Sequence, residues 1–273
     1  MVDFIVENTN IEKIAKSGQC FNISVLDDGE HFIPSGERAC WAFQEGENVR
    51  INCEDADEEY WKKYFDVGNP MYKKLEAIGK DESHSFLKAA LEYGRGLRIL
   101  NQDPFECLIS FIVSQRKSIP AIVTSLDKLC IRYGKGVASG SVFYNAFPEP
   151  KALVEGYSKD AYEDCGLGYR DRYVYEASSR ILSGELDLGS LVTVSYDVAL
   201  EELMKLPGVG YKVANCVCLY SLKKNNAFPV DVWMARILDG YFSDAEYQDM
   251  LKRYDGVLGL LQLYMFYYGR NNI

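Results

Sequence analysis

The sequence predicts an α+β chain: a small N-terminal antiparallel β-sheet domain with flanking helices over residues 1–90, then a mostly α-helical region over residues 91–273. Three observations predict it. Turn signals at Asp27–Gly29 and Glu45–Asn48 flank β-rich runs, Cys20–Val25 and Val49–Cys53, early in the chain. From Asp55 onward the apolar period becomes helical. No internal repeat, low-complexity tract or long linker interrupts the change.

The elements follow in order. The early runs suit an antiparallel sheet packed on one face. Glu58–Phe65 and Tyr72–Glu92 read as helices. Pro104 suits a first helical turn and opens Phe105–Val113, a run apolar nearly all round that belongs in a core. Ile119–Tyr133 has apolar residues at helical spacing, with Gly134 just past its end, where helices stop. Residues 134–151 are looser and rich in Gly, Ser and Pro. Helical patterning then resumes to the end, broken by Gly-containing turns.

Apolar residues at 48% allow a sizeable core, and charged residues at 26% are ordinary. The net charge of −10 argues against nucleic-acid binding by charge alone, since Lys and Arg usually supply most of that affinity. The charge is uneven, however. Acidic residues are dense over Glu54–Glu59, whereas Arg116-Lys117, Arg170-Asp171-Arg172 and Lys223-Lys224 are locally basic. The eight cysteines form no paired CxxC set, which excludes the usual zinc pattern. Cys216 and Cys218 would point to different faces of a helix and chelate poorly. The N-terminus has no basic stretch followed by an apolar core, and no apolar run reaches membrane-spanning length. These features predict a soluble, reduced, intracellular protein that is neither secreted nor membrane-bound.

Chemistry concentrates between Ser195 and Asp231. Ser195 is placed to cap a helix carrying Ala199, Leu200, Leu203 and Met204. That helix should end near Leu206, because Pro207 disfavours α backbone before it. Gly208 and Gly210 permit a tight turn around Val209. A second helix starts at about Tyr211, with Val213, Cys216, Val217 and Tyr220 on one stripe. Helix, Leu-Pro-Gly-Val-Gly turn, helix, over about 198–220, is the helix-hairpin-helix pattern. Its unpaired backbone amides and the positive helix end suit a phosphate, and they bind it without adding net charge. Lys212 opens the second helix, and Asp231 follows in Pro229-Val230-Asp231. A lysine there often only touches phosphate, and an aspartate at a helix start is most often an N-cap. Their joint occurrence at this spacing points instead to chemistry.

Hairpin followed by Pro-Val-Asp resembles the signature of the helix-hairpin-helix glycosylase superfamily, and Lys212 resembles the nucleophile of its bifunctional members. Further segments resemble the 8-oxoguanine DNA glycosylases: Ser17–Phe21, Asn101–Cys107, Gly168–Tyr173, Cys216 four residues after Lys212, and the pair Gln262 and Phe266. The resemblance spans Gly18 to Phe266 and implies an α+β fold ending in a helix-hairpin-helix glycosylase region. It implies that the Gly18 carbonyl accepts from the N7–H that only oxidised guanine carries. Cys216 and Phe266 would stack on opposite faces of the flipped base, and Gln262 would read its Watson–Crick edge. Tyr169 would wedge beside the lesion, and Arg170 would contact the orphaned base. Gly208, Val209 and Gly210 would face DNA phosphate. Two departures stand out. Arg116 occupies the place of an asparagine that enters the duplex gap, and Ala121 that of an arginine for the opposite base. Trp233 stands where a relative has a phosphate-contacting histidine. The iron–sulphur branch is excluded, since no cysteine follows Cys218.

The implied reaction starts with base flipping, which costs on the order of a few kcal/mol. Lys212 attacks the sugar C1′, Asp231 stabilises the positive sugar and moves protons, and a Schiff base leads to strand cleavage by β-elimination. An ordinary lysine amine titrates near about 10.4, so a nucleophilic lysine must be desolvated or set beside a cation. No metal or organic cofactor is required, although the hairpin could take a monovalent or divalent cation. The expected partner is double-stranded DNA containing an oxidised guanine, met by a monomer. The expected compartment is the cytoplasm, at the nucleoid, in a bacterium or archaeon and the nucleus in a eukaryote. Two alternatives stay open: a glycosylase for another damaged purine, and a non-catalytic hairpin module that binds DNA.

Overall fold

The computed structural model describes residues 1–27 and 29–273. Five strands form one antiparallel sheet: β1 (Val2–Val6), β2 (Ser24–Val25), β3 (His31–Ser35), β4 (Arg38–Glu45) and β5 (Asn48–Cys53), in the order β1-β5-β4-β3-β2. Asp28, in the expected turn at Asp27–Gly29, lies outside the described residues; around it the Leu26 N–H donates to the Glu30 carbonyl at 2.8 Å. The period of two is plain in β5, where Val49, Ile51 and Cys53 are fully buried while their neighbours are not.

Three local expectations change. Only Ser24–Val25 of the run Cys20–Val25 pairs as strand. The rest is a loop held by side chains, with the Asn22 amide donating to the Pro34 carbonyl at 2.8 Å and to Glu106 at 2.6 Å. A short helix, α1 (Ile11–Lys16), precedes it, capped by the Asn10 side chain, which accepts from the Lys13 N–H at 2.8 Å. The sheet is also covered on both faces. Residues 134–151 contain a hairpin of β6 (Gly136–Ser139) and β7 (Val142–Asn145). Its Tyr144 ring meets Phe32 edge-on at 5.4 Å, beside Ala39 and Trp41.

The helices follow the apolar stripes. They are α2 (Glu58–Tyr64), α3 (Met71–Gly79), α4 (Ser85–Tyr93), α5 (Pro104–Ser114), α6 (Ile119–Tyr133), α7 (Pro150–Asp160), α8 (Asp171–Leu182), α9 (Leu188–Leu191), α10 (Tyr196–Met204), α11 (Tyr211–Tyr220), α12 (Val232–Tyr241), α13 (Asp244–Arg253) and α14 (Leu258–Asn272). The expected helix over Tyr72–Glu92 is two helices, because His84 adopts extended backbone and caps a new start. α5 is the central rod: Glu106 through Val113 are all buried, and Asp103 caps it on the Phe105 and Glu106 amides at 2.9 Å. α14 packs against α3, α4 and α12. Gly259 lets it approach α11, since a Cβ there would lie 2.2 Å from Leu219. One apolar core runs from Val6 of the sheet to Tyr267 of α14. Among the described residues, no helix is long and apolar enough to cross a membrane.

Burial pushes the Glu106 carboxyl up to about 8, with Asp103 adding to the rise and the Asn22 amide opposing it. Between 4.5, its ordinary value, and about 8, the folded protein keeps a proton that the unfolded chain releases. The group's contribution to stability is therefore complete below 4.5 and is lost as pH rises through about 8. Glu106→Gln should flatten the fall in Tm between about pH 5 and about pH 8. An unchanged slope in thermal melts would mean that Glu106 is already ionised in the fold.

Candidate active site

The hairpin is built as its sequence requires, with one adjustment. Helix α10 begins at its Ser195 cap and ends at Met204 rather than near Leu206. The last turn closes early because the Leu206 N–H reaches the Leu203 carbonyl at 3.1 Å. Gly208 has φ +79, and a Cβ there would lie 2.3 Å from the Tyr173 ring, so it is required twice over. The Gln115 amide donates to the Gly208 carbonyl at 3.0 Å, tying the turn to the loop after α5. Val209 does not serve as a phosphate donor: its N–H bonds the Leu206 carbonyl at 3.1 Å and its side chain is buried. The amides of Gly210, Tyr211 and Lys212 find no internal acceptor among the described residues. They form the open, positive end of α11.

A cavity of about 760 Å³ opens at this helix end. Arg116, Lys117, Gly210, Lys212, Val230 and Asp231 are among its lining residues. Lys212 is half-buried, with Nζ 4.9 Å from the centre of the Phe111 ring and no ion pair among the described residues. Asp231 is the N-cap of α12, its Oδ1 accepting from the Met234 N–H at 2.9 Å. The same residue also lines the cavity. Cys216 lies behind Lys212: burial pushes its thiol up, Lys212 pulls it down, and Asp231 raises it again.

One buried amide that sequence reading overlooked fixes this geometry. Asn215 is fully buried. Its Oδ1 accepts from the Tyr196 hydroxyl at 2.9 Å and from the Phe228 N–H at 3.0 Å, while its Nδ2 donates to the Tyr211 carbonyl at 2.9 Å. It thereby joins α10, α11 and the irregular segment that delivers Asp231. The legible signal was a polar residue between Val213 and Cys216 on an otherwise apolar stripe.

None of the four base-recognition candidates lines the open cavity, although Cys216 interacts with Lys212. Gly18 has φ +79, and a Cβ there would meet Phe266 at 3.7 Å and Arg270 at 3.4 Å. The loop is fixed by the buried Gln19, which donates to the Arg98 carbonyl and accepts from the Leu100 N–H, both at 2.8 Å. Gln262 is buried, its Nε2 donating to the Pro229 carbonyl at 2.9 Å and its Oε1 without a partner among the described residues. In this state Phe266 lies against Gly18, and Cys216 and Gln262 form the buried wall.

The remaining candidates divide by exposure. Arg116 is exposed, lines the cavity and has φ +51, a backbone strain unusual for a non-glycine residue. Tyr169 is 52% exposed and Trp233 39%. Arg170 is different: it is buried, with Nε and Nη2 donating to the Gln115 carbonyl and Nη1 to that of Leu167. In this structure those donors clamp the loop that carries Arg116. Lys224, basic in sequence, is likewise occupied by the carbonyls of Val192 and Val194. Among the described residues, no group of three His, Cys, Asp or Glu is placed to hold a metal ion.

Residues 1–108 match the family described as 8-oxoguanine DNA glycosylase, N-terminal domain. The chain is 34% identical over 212 residues to a probable N-glycosylase/DNA lyase of Methanothermobacter thermautotrophicus, covering 68% of this chain and 67% of that one. It is 31% identical over 195 residues to the N-glycosylase/DNA lyase of Saccharomyces cerevisiae, covering 67% of this chain and 51% of the yeast protein. Its structure is similar, with a TM-score of 0.88 and 33% identity, to Clostridium acetobutylicum 8-oxoguanine glycosylase/lyase in complex with dsDNA containing cytosine opposite to 8-oxoG. That likeness covers 99% of this chain and 96% of the other.

The turn geometry makes a direct prediction. Gly208→Ala should cost about 2 to 4 kcal/mol, from positive-φ strain and overlap with the Tyr173 ring. Urea denaturation should show it as a lower midpoint at unchanged slope. A midpoint within error of wild type would mean that the turn is free to reshape.

Proposed function

This chain belongs to the 8-oxoguanine DNA glycosylase family of the helix-hairpin-helix superfamily, and on that premise we propose that it excises 8-oxoguanine from duplex DNA through a Lys212 Schiff base. It is a DNA glycosylase with AP lyase activity. The observation that carries the reading is Lys212 and Asp231 on one cavity wall, at the mouth of three free hairpin amides. Those amides hold the phosphodiester backbone without a basic face, which reconciles DNA binding with a net charge of −10.

In the proposed reaction the Lys212 amine attacks C1′ and the C1′–N9 bond breaks, its electron pair leaving with the base, which gains a proton. The Asp231 carboxylate faces the positive charge that develops on the sugar. The adduct loses a proton and the sugar ring opens to the imine. Removal of a C2′ proton then expels the 3′ phosphate, and water releases the lysine. The lysine serves as both nucleophile and electron sink, so no metal or organic cofactor enters. The flipped base would lie between Cys216 and Phe266, read by Gly18 and Gln262, once Phe266 leaves Gly18. Arg116, Tyr169 and Trp233 face the duplex. The proposed unit of action is a monomer. The protein works where the genome is, in the cytoplasm at a nucleoid or in a nucleus.

Borohydride should trap a covalent adduct between the protein and a duplex carrying one 8-oxoguanine, and Lys212→Gln should give none. An adduct in Lys212→Gln would remove Lys212 from the chemistry. A wild type that releases an alkylated purine but no 8-oxoguanine would reassign the substrate. Asp231→Asn keeps a capping side chain, so its stability should hold. Its single-turnover excision rate should fall by about 100-fold or more; an unchanged rate would leave Asp231 as a cap alone.

A further inference from the structure

Helix α14 carries Gln262, Phe266 and Arg270 at successive four-residue steps on one stripe, with Phe266 and Arg270 against the Gly18 loop and Gln262 against Pro229. The stripe holds two buried polar atoms with no partner among the described residues, the Gln262 Oε1 and the Arg270 Nη1. Unpaired buried polar atoms are rare and call for an explanation. These two have opposite hydrogen-bonding sense, an acceptor and a donor, on either side of the Phe266 ring.

The arginine is held in place for this. Its Nη2 donates to the Lys16 carbonyl at the end of α1. Its guanidinium lies 5.6 Å from the centre of the Phe266 ring. Nη1 lies 3.4 Å from where a Gly18 Cβ would be, so it lies against the loop that closes the slot. A purely structural anchor would use the second nitrogen as well as the first. A guanidinium cannot relieve the mismatch by giving up its proton. The ligand it awaits must therefore bring an acceptor.

We infer that Arg270 is a specificity-determining residue, whose Nη1 donates a hydrogen bond to a ring carbonyl oxygen of the flipped base. This inference rests on the reading that the slot takes an oxidised guanine, a base whose edge offers carbonyl oxygens beside N–H donors. Gln262 Oε1 would take a donor of that base while Arg270 supplies an acceptor's partner, so the two orphaned atoms are satisfied together. The inference requires that both become reachable by the flipped base once Phe266 leaves Gly18.

The test uses the Lys212→Gln protein, which should bind without turning over. Its affinity is measured for a duplex with one 8-oxoguanine and for the same duplex with a tetrahydrofuran abasic analogue, which offers no base. Adding Arg270→Leu should weaken lesion binding by about 10- to 100-fold, the worth of a hydrogen bond to a charged donor. Abasic binding should change by less than about threefold. Equal losses on both duplexes, or no loss on either, would overturn the inference. Arg270→Gln retains an amide donor and should fall between; it is read by the same comparison if the leucine variant does not fold. A Lys212→Gln parent with no preference for the lesion duplex would overturn the underlying reading, and the inference with it. A parent that prefers the lesion, beside a leucine variant that prefers it equally, overturns the inference alone.

Discussion

Asn215 is the constraint on which the site depends. A primary amide with no exposure, in a helix otherwise apolar on that stripe, is stable only when its polar atoms are satisfied. It meets that demand by bonding a tyrosine of α10, a carbonyl of its own helix and the amide of Phe228. The segment before the aspartate is thereby tied to the lysine's helix by buried hydrogen bonds, whose alternative is an unsatisfied group. Gln262 adds a second tie, from α14 to Pro229, two residues before the aspartate.

The same economy recurs around the cavity. Arg170 and Gln115 act on main-chain carbonyls, holding the loop of Arg116 against the hairpin turn. The strained backbone at Arg116 is affordable because that loop is clamped from two sides. In the proposed function, binding to DNA relies on amides at a helix end and on a few exposed side chains, not on a basic face. A protein of this overall charge would be repelled by a polyanion at long range and held at short range. The expected consequence is recognition that depends on close geometric fit.

Much of this was legible in the residues. The turn at Gly208, the second helix starting at Tyr211 and the apolar rod after Pro104 each follow from local backbone chemistry. So does the shift from a period of two to a helical one. The misses have a common cause. The sheet's second covered face, the hydrogen-bonded loop at Cys20–Asn22 and the short helix at Ile11 are each fixed by side chains from elsewhere or by one capping residue. Val209 and Arg170 were candidates for DNA contact because of where they stand in a motif. Their hydrogen bonds to Leu206 and Gln115 could not be seen in that motif.

By itself the sequence determined which groups can do chemistry: a lysine at a helix start, an aspartate at the next, and a hairpin whose glycines free three amides. Those are local properties, set by residue type and spacing of a few positions. Only the tertiary structure decided which polar groups are free to act. The Arg270–Lys16 hydrogen bond joins residues 254 apart, and it leaves one guanidinium nitrogen unpaired beside Gly18. Availability is a property of burial and partners, and both are created when distant segments pack. A sequence specifies the donors and acceptors; the fold determines which of them remain open.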